Sequence, residues 1–248
     1  MRRFTFLAAG LGVAAIAVAG IDLATAGSTE DPSALPQVVL GDGDDRLPSA
    51  TATDWVTYAD HVVIVSATSE RALPPSRTEM ERGEGLIGRK VGLEVKEVLW
   101  SRKGAAQPAP RSWEYNATGW VFSDGKLEDR QPLALRERPR IESGHHYVLA
   151  IAWEGPRCSD GDTPEPGRWM GLGEGSELPF DGDLIGQGEN QGQLQTVAEA
   201  RTAAADAGSA VELEDQLAGK GASELAAELK ATTPGQKQLP LQSSTACG

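Results

Sequence analysis

The sequence lacks the short motifs that would assign it a known chemistry. It has no C-x-x-C pair, no H-E-x-x-H helix and no glycine-rich phosphate-binding loop. Its three histidines and two cysteines do not fall at the spacing of a zinc site, whose ligands must converge from one side. We therefore expect no cofactor, no metal ion and no catalytic set that spacing alone can identify.

Positive charge is also scarce. Lysine and arginine number 23 against 36 acidic residues, which gives a net charge of −13. Such a chain repels phosphate backbones, so nucleic acid is not an expected partner. The charge is uneven, because residues 89–140 are rich in arginine and residues 154–192 are rich in acids.

The first 26 residues have the pattern of a secretory signal peptide. Arg2 and Arg3 precede an uncharged, largely apolar stretch at 4–20, and Ala24 and Ala26 form an A-x-A site before Gly27. We expect cleavage there and a secreted or cell-envelope protein. The alternative is an uncleaved helix that anchors the protein in the membrane, which is the one route to a membrane that the sequence offers.

Cys158 and Cys247 are the only cysteines. In an exported protein two cysteines most simply pair, so we predict a Cys158–Cys247 disulfide. Closing a loop of about 90 residues would contribute about 4–5 kcal/mol in the chain-entropy model. The alternative is two free thiols.

Residues 27–53 are rich in Asp, Gly, Pro and Ser, which predicts a flexible leader before a β domain at 54–192. Residues 91–100 alternate apolar and polar side chains and then change parity near Lys96–Glu97, which predicts a strand with a β-bulge. Further strands are expected at 60–68, 111–122, 142–153 and 167–172, and a long surface loop at 173–193. The predicted fold class is mainly β, an antiparallel barrel or sandwich of OB-like type.

The composition changes to alanine-rich helix at 193–248. Thr196 and Glu199 form one capping box, Ser209 and Glu212 a second, and a third helix ends before Pro234. Short helices are marginal alone, so we predict a short helical tail docked on the β domain.

The strand order resembles that of netrin-like domains. The segments "ADHVVIVSAT", "VGLEVKEVLWSRKG", "RSWEYNATG" and "ESGHHYVLAIAW", within residues 54–153, resemble these OB-fold domains and secreted proteins of high-GC Gram-positive bacteria. The resemblance implies an OB-like barrel. The chain lacks the N-terminal cysteines of the netrin-like family, so metalloprotease inhibition is not implied.

Four residues are candidates for a surface site: His61, His145, His146 and Trp120. Strand neighbours point to opposite faces, so His145 and His146 would lie on different faces. His61 could meet one of the two if its strand pairs with theirs with aligned starts. The alternative is a polar strand entrance. Trp120 follows Gly119 near a turn, where a carbohydrate or peptide could stack, although packing in the core is the commoner fate of a large aromatic.

Two further patterns concern metal and nucleophile chemistry. Asp-Gly-Asp occurs at 42–44, 160–162 and 181–183, and oxygen-rich loops of this kind suit calcium. Ile185 and Gly192 fall where an EF-hand needs ligands, so solvated turns are expected instead. Ser176 misses the nucleophile elbow, because Leu178 replaces the required glycine.

These observations favour an exported, non-enzymatic binding module for a protein, a peptide or a cell-wall polymer. The alternatives are a secreted hydrolase that uses carboxylates or histidine, and a membrane-anchored envelope protein. The hydrolase hypothesis requires a histidine and an acid within hydrogen-bond reach in a concave pocket.

Mass spectrometry of the protein recovered from its native host tests the predicted export. We expect a mature N-terminus at Gly27, because the A-x-A site ends at Ala26. A mature chain that starts at Met1 would contradict cleavage and favour the anchored form.

Overall fold

A run of β-branched residues forms the centre of the sheet. In the computed structural model the described residues are 37–43, 45–158, 165–206 and 212–237. Strand β2 (His61–Ala72) pairs antiparallel with β3 (Gly85–Ser101) on one side and with β6 (His146–Glu154) on the other. Successive valines of β2 point to opposite faces, and both faces are buried. Two apolar cores therefore meet at this strand.

The remaining strands extend the sheet on both sides of β2. The order is β1-β5-β4-β3-β2-β6-β7, and β8 pairs with β6. Every pairing within the sheet is antiparallel except β1 with β5. A separate two-stranded ribbon joins β9 to β10. The bounds are β1 (Val39–Gly41), β4 (Ser112–Phe122), β5 (Gln131–Leu135), β7 (Arg168–Gly171), β8 (Glu177–Pro179), β9 (Gly188–Asn190) and β10 (Gln193–Gln195).

The sheet curls but does not close. Tyr115 of β4 and Trp169 of β7 belong to one apolar cluster, although these strands lie far apart in the sheet order. β5 meets β4 through only two residue pairs, and β7 pairs only with β6 among the described strands. The mainly β class with C-terminal helices is confirmed, whereas the closed antiparallel barrel is not formed.

The predicted bulge in β3 is confirmed. Ile64 pairs with Glu97 and the next residue, Val65, pairs with Val95, so Lys96 is the extra residue. After the bulge Val98 is 44 % exposed, and Leu99 and Trp100 are partly buried against the other apolar cluster.

Residues 37–53 differ from the flexible leader that their composition predicts. β1 pairs with β5. The Leu47 amide donates to the Leu172 carbonyl at 3.0 Å, and the Trp55 indole N–H donates to the carbonyl of buried Ser49 at 2.7 Å. The polar composition misleads because this segment is held by its backbone groups, which no side-chain pattern reports.

Residues 173–193 also differ from the predicted surface loop. Leu178, Phe180 and Ile185 are buried in the core, and β8 adds to the sheet beside β6. Glycines at positive φ, such as Gly186 and Gly188, let the chain turn back between these apolar residues. The glycine-rich composition therefore marks tight turns within a buried segment.

The described residues contain five α-helices: α1 (Ala52–Tyr58), α2 (Arg77–Arg82), α3 (Val197–Asp206), α4 (Leu213–Leu217) and α5 (Ala222–Ala231). The capping box of Thr196 and Glu199 is confirmed at the start of α3. Ser209 lies outside the described residues, and α4 begins after Glu212. Among the described helices, none is long and apolar enough to cross a membrane.

Leucines of the C-terminal helices complete the outer core. Leu213, Leu217, Leu225 and Leu229 pack in one cluster with Trp55 of α1. The cluster also contains the outward valines of β2 and β6. Burial against the sheet therefore supplies the stability that short helices lack alone.

Leu225→Ala tests whether helical docking stabilises the β domain. Leu225 is 0 % exposed, so its truncation should lower the free energy of unfolding by about 3 kcal/mol. Leu194→Ala is the matched control, because Leu194 is 76 % exposed and its loss should change stability by less than about 0.5 kcal/mol. Urea denaturation measures both, and equal stability of the two variants would contradict a docked α5.

Candidate functional site

The histidine pair meets a single carboxylate. His145 Nδ1 lies 2.5 Å from Asp181 Oδ2, and the His146 amide donates to Asp181 Oδ1 at 2.8 Å. Alternation predicted opposite faces, but β6 begins only at His146, and His145 lies in the turn after Gly144, whose φ is +97°. The pair is therefore brought together by the turn rather than by the strand.

His61 lies at the other end of the strand pair. β2 and β6 run antiparallel, so His61 is opposite Ile151 whereas His146 is opposite Ser66. His61 is buried, with Nδ1 2.8 Å from Ser101 Oγ. His61 therefore does not meet His145 or His146, because the strand starts are not aligned, and His61 is buried rather than a surface residue.

Trp120 is half-buried and its ring is covered by arginines. The guanidinium carbon of Arg130 lies 4.3 Å from the ring centroid, and those of Arg140 and Arg89 lie 5.8 and 5.9 Å away. Cation–π contacts of this kind occupy the ring face. The site for a stacked carbohydrate or peptide is thus already filled by the protein's own cations.

The remaining candidates have structural roles or lie outside the described residues. Cys247 is outside them, so the bridge to Cys158 stays a prediction. Asp160–Asp162 and Asp44 are outside as well, and Asp181 accepts the backbone amide of His146. Ser176 is fully buried, and its hydroxyl accepts the Leu172 amide. Among the described residues, no group of three or more potential ligands is placed to hold a metal ion.

A cavity of about 510 Å³, the outer chamber, lies beside the edge strand β7. Its size is that of small-molecule sites, which are mostly apolar with a few polar groups. Its apolar walls come from β6 and β7, from the end of α1, and from the segments before α1 and after β6. These side chains are Leu47, Tyr58, Ala152, Trp153, Pro156 and Met170.

Charges at the outer chamber centre on Glu154, the last residue of β6. Arg46, Arg157 and Arg168 all hydrogen-bond its carboxylate, the first at 3.1 Å and the last at 2.8 Å. One carboxylate cannot neutralise three guanidinium groups, so the cluster keeps a positive excess. Lys237 adds a further cation to the wall, and burial lowers its pKa.

A second cavity of about 170 Å³, the inner chamber, lies between β4 and β7, where the curled sheet stays open. Residues 115–118 of β4 form one side, and Gly171 of β7 forms the other. Arg46, Met170 and Gly171 line both chambers and form their common wall. Arg46 Nη1 donates to Met170 Sδ at 2.9 Å, which holds this wall together.

Three ionisable side chains meet in the inner chamber. The buried Tyr115 hydroxyl donates to Glu177 Oε1, and burial raises the pKa of both groups. Arg138 is 6 % exposed and lines the same cavity. A Cβ at Gly171 would lie 2.8 Å from the Tyr115 hydroxyl, so only glycine leaves room for this contact.

Two other buried arginines have partners for their hydrogen-bonding groups. Arg89 donates Nε to the Thr118 carbonyl at 3.0 Å and Nη1 to Glu70 at 2.5 Å. Arg140 donates to the carbonyls of Leu133 and Gly119, each at 2.7 Å. These two side chains serve the fold, because each replaces lost hydration with protein acceptors.

Sequence reasoning missed both chambers. Arg46 lies in the segment predicted to be flexible, and Glu174 and Glu177 in the segment predicted to be a surface loop. The available signal was the arginine-rich composition of residues 89–140, which supplies Arg138 and Arg140. Nothing in the spacing showed that these side chains would be buried.

Comparisons leave the site without a precedent. No protein-family model, no curated protein and no solved structure matches the chain.

A cavity beside α4 concentrates acids and makes stability depend on pH. Glu137, Glu212, Glu214 and Asp215 line it. Burial, followed by repulsion from Asp215 and Glu212, raises the pKa of Glu214 to about 8. Its unfolded value is about 4.5, so the folded chain holds the extra proton between about pH 4.5 and 8 and loses stability as the pH rises through this window.

Glu214→Gln should therefore stabilise the protein at alkaline pH. We expect the free energy of unfolding to exceed that of the unchanged chain by at least about 1.4 kcal/mol at pH 8, with the difference vanishing at pH 4. Urea titrations at both values measure this, and Glu228→Gln on the exposed side of α5 serves as the control. A Glu214 variant less stable than the unchanged chain at pH 8 would refute the assignment.

Proposed function

We propose that this protein is an exported, non-enzymatic binding module whose outer chamber takes an organic anion with an apolar body. The observation that carries the proposal is the composition of that chamber. Its walls are apolar and aromatic, yet its cations outnumber its acids in a chain of net charge −13. Such a local reversal of sign attracts anions to the chamber, whereas the net negative charge of the rest of the chain repels them.

The charge balance around the outer chamber favours the anion. Arg46, Arg157 and Lys237 lie in the wall, against Glu154 and Asp60 among the described residues. Arg168 and Arg102 stand behind and pair with these two acids. Five cations against two carboxylates leave guanidinium N–H groups for a carboxylate or sulfonate of a ligand.

Trp153 supports the apolar part of the proposal. Its ring meets Trp169 edge to face, with centroids 5.3 Å apart, and its amide donates to Asp60 Oδ2 at 2.9 Å. The indole is thus fixed before any ligand arrives, and pre-organisation lowers the cost of binding. A planar apolar body would pack against such a wall.

The hydrolase hypothesis has less support. The histidine–aspartate pair lies outside both chambers, and none of the three histidines lines either one. Export, an OB-like arrangement of the strands in the open sheet and the resemblance to netrin-like domains remain part of the proposal as sequence-based predictions. The expected partner is therefore an organic anion with an apolar body, either as a free ligand or as a group on a peptide or polymer.

Isothermal titration with three naphthalene probes tests the proposed function. 2-Naphthoate, 2-naphthalenemethanol and 2-naphthylmethylammonium share one apolar body and differ in charge. We expect affinity to fall from naphthoate to the alcohol to the ammonium compound. Arg157→Gln should weaken naphthoate binding about tenfold and leave binding of the alcohol unchanged, because only the anion uses the guanidinium.

The control is Arg77→Gln, an arginine that is 92 % exposed on α2 and also paired with one glutamate. It should bind naphthoate as the unchanged chain does. Equal affinity for naphthoate and the alcohol, or no binding of either, would overturn the proposal.

A further inference from the structure

Arg138 differs from the other buried arginines in having an unused hydrogen-bonding edge. Its Nε and Nη2 are buried and have no hydrogen-bond partner. Nη2 lies 3.2 Å from Glu174 Oε2, an ion pair whose geometry makes no hydrogen bond. A buried donor without a partner destabilises the fold, so an open edge on a buried cation is unusual in a structural residue.

The open edge has the geometry that binds carboxylates. Nε and Nη2 are the two nitrogens with which Arg71 holds both oxygens of Glu114 at the surface, each at 3.1 Å. The same two nitrogens of Arg138 border the inner chamber, which has about 170 Å³ of space. The fork of a guanidinium matches a carboxylate bidentately.

The acids around Arg138 argue against a simple anion. Glu174 Oε1 is also buried without a hydrogen-bond partner and lines the same chamber. Glu177, Asp45 and Glu212 interact with Arg138 through their charges. A bare carboxylate on Arg138 would face these acids, whereas a ligand that also carries an ammonium group would satisfy Glu174.

We propose that the inner chamber binds the head group of a small α-amino acid, with its carboxylate on the Nε/Nη2 edge of Arg138 and its ammonium on Glu174. The ligand is neutral overall and satisfies the buried atoms of this site that lack partners, which are Nε and Nη2 of Arg138 and Oε1 of Glu174. The volume of the chamber limits the side chain to a small one. The site is distinct from the outer chamber and does not depend on the anion proposed there.

The probes for this site are glycine and L-alanine, titrated calorimetrically into the purified chain. Acetate lacks the ammonium, methylammonium lacks the carboxylate, and glycolate replaces the ammonium with a hydroxyl. We expect saturable binding of glycine and alanine, weaker binding of glycolate, at least tenfold weaker binding of acetate, and none of methylammonium.

Variants separate the two halves of the head group. Arg138→Gln and Arg138→Lys should each weaken glycine at least tenfold, since lysine restores the charge and not the fork. Glu174→Gln should weaken glycine and leave acetate unchanged or tighter. Its side chain is one-third exposed, so this variant tests the site even if the Arg138 variants fail to fold. Arg71→Gln is the matched control and should bind glycine unchanged.

Three results would overturn the inference. The first is the absence of saturable heat when glycine or alanine is titrated into the unchanged chain, which would mean that water or a rotated Glu174 occupies the chamber. The second is equal glycine affinity of the unchanged chain and Glu174→Gln. The third is acetate binding as tight as glycine binding. Each is independent of the naphthoate titration, because Arg157 is not in the inner chamber.

Discussion

The hydrogen bond from the Tyr115 hydroxyl to the Glu177 carboxylate crosses the gap in the curled sheet. Strands β4 and β7 face each other there without a backbone ladder, so the sheet order ends before a barrel forms. A side-chain bond thus spans the space that a missing ladder leaves. The inner chamber exists because the bond spans this gap without filling it, and Gly171 is the residue that gives the tyrosine room.

The same constraint explains why charge lies so deep in the molecule. Backbone carbonyls that no neighbouring strand uses, such as those of Thr118 and Gly119, accept from Arg89 and Arg140. Glu189 holds the segment that contains Arg140 and Ile141. Its carboxylate accepts hydrogen bonds from both backbone amides and from the hydroxyl of Tyr147. Side chains therefore replace the ladder that closure would have provided, and Arg138 is left with an open edge.

Local patterns predicted the parts of the fold that local physics controls. Alternation along β3 predicted both its buried face and the bulge at Lys96, because side-chain parity is a property of the strand itself. Thr196 and Glu199 predicted the start of α3 for the same reason. Residues 37–53 and 173–193 could not be predicted this way, since long-range backbone bonds hold them. Arg46 of the first segment lines both chambers, and Glu174 and Glu177 of the second line the inner chamber, so no spacing pointed to these parts of the site.

Hydrogen–deuterium exchange in the presence of 2-naphthoate tests most directly whether the chambers, rather than the histidine pair, form the binding site. We predict slower exchange of the backbone amides at 152–157 and 170–171, which line the outer chamber, and no change at 144–147 or 180–183. Protection confined to the turn of His145 and Asp181, with none along β7, would contradict the account.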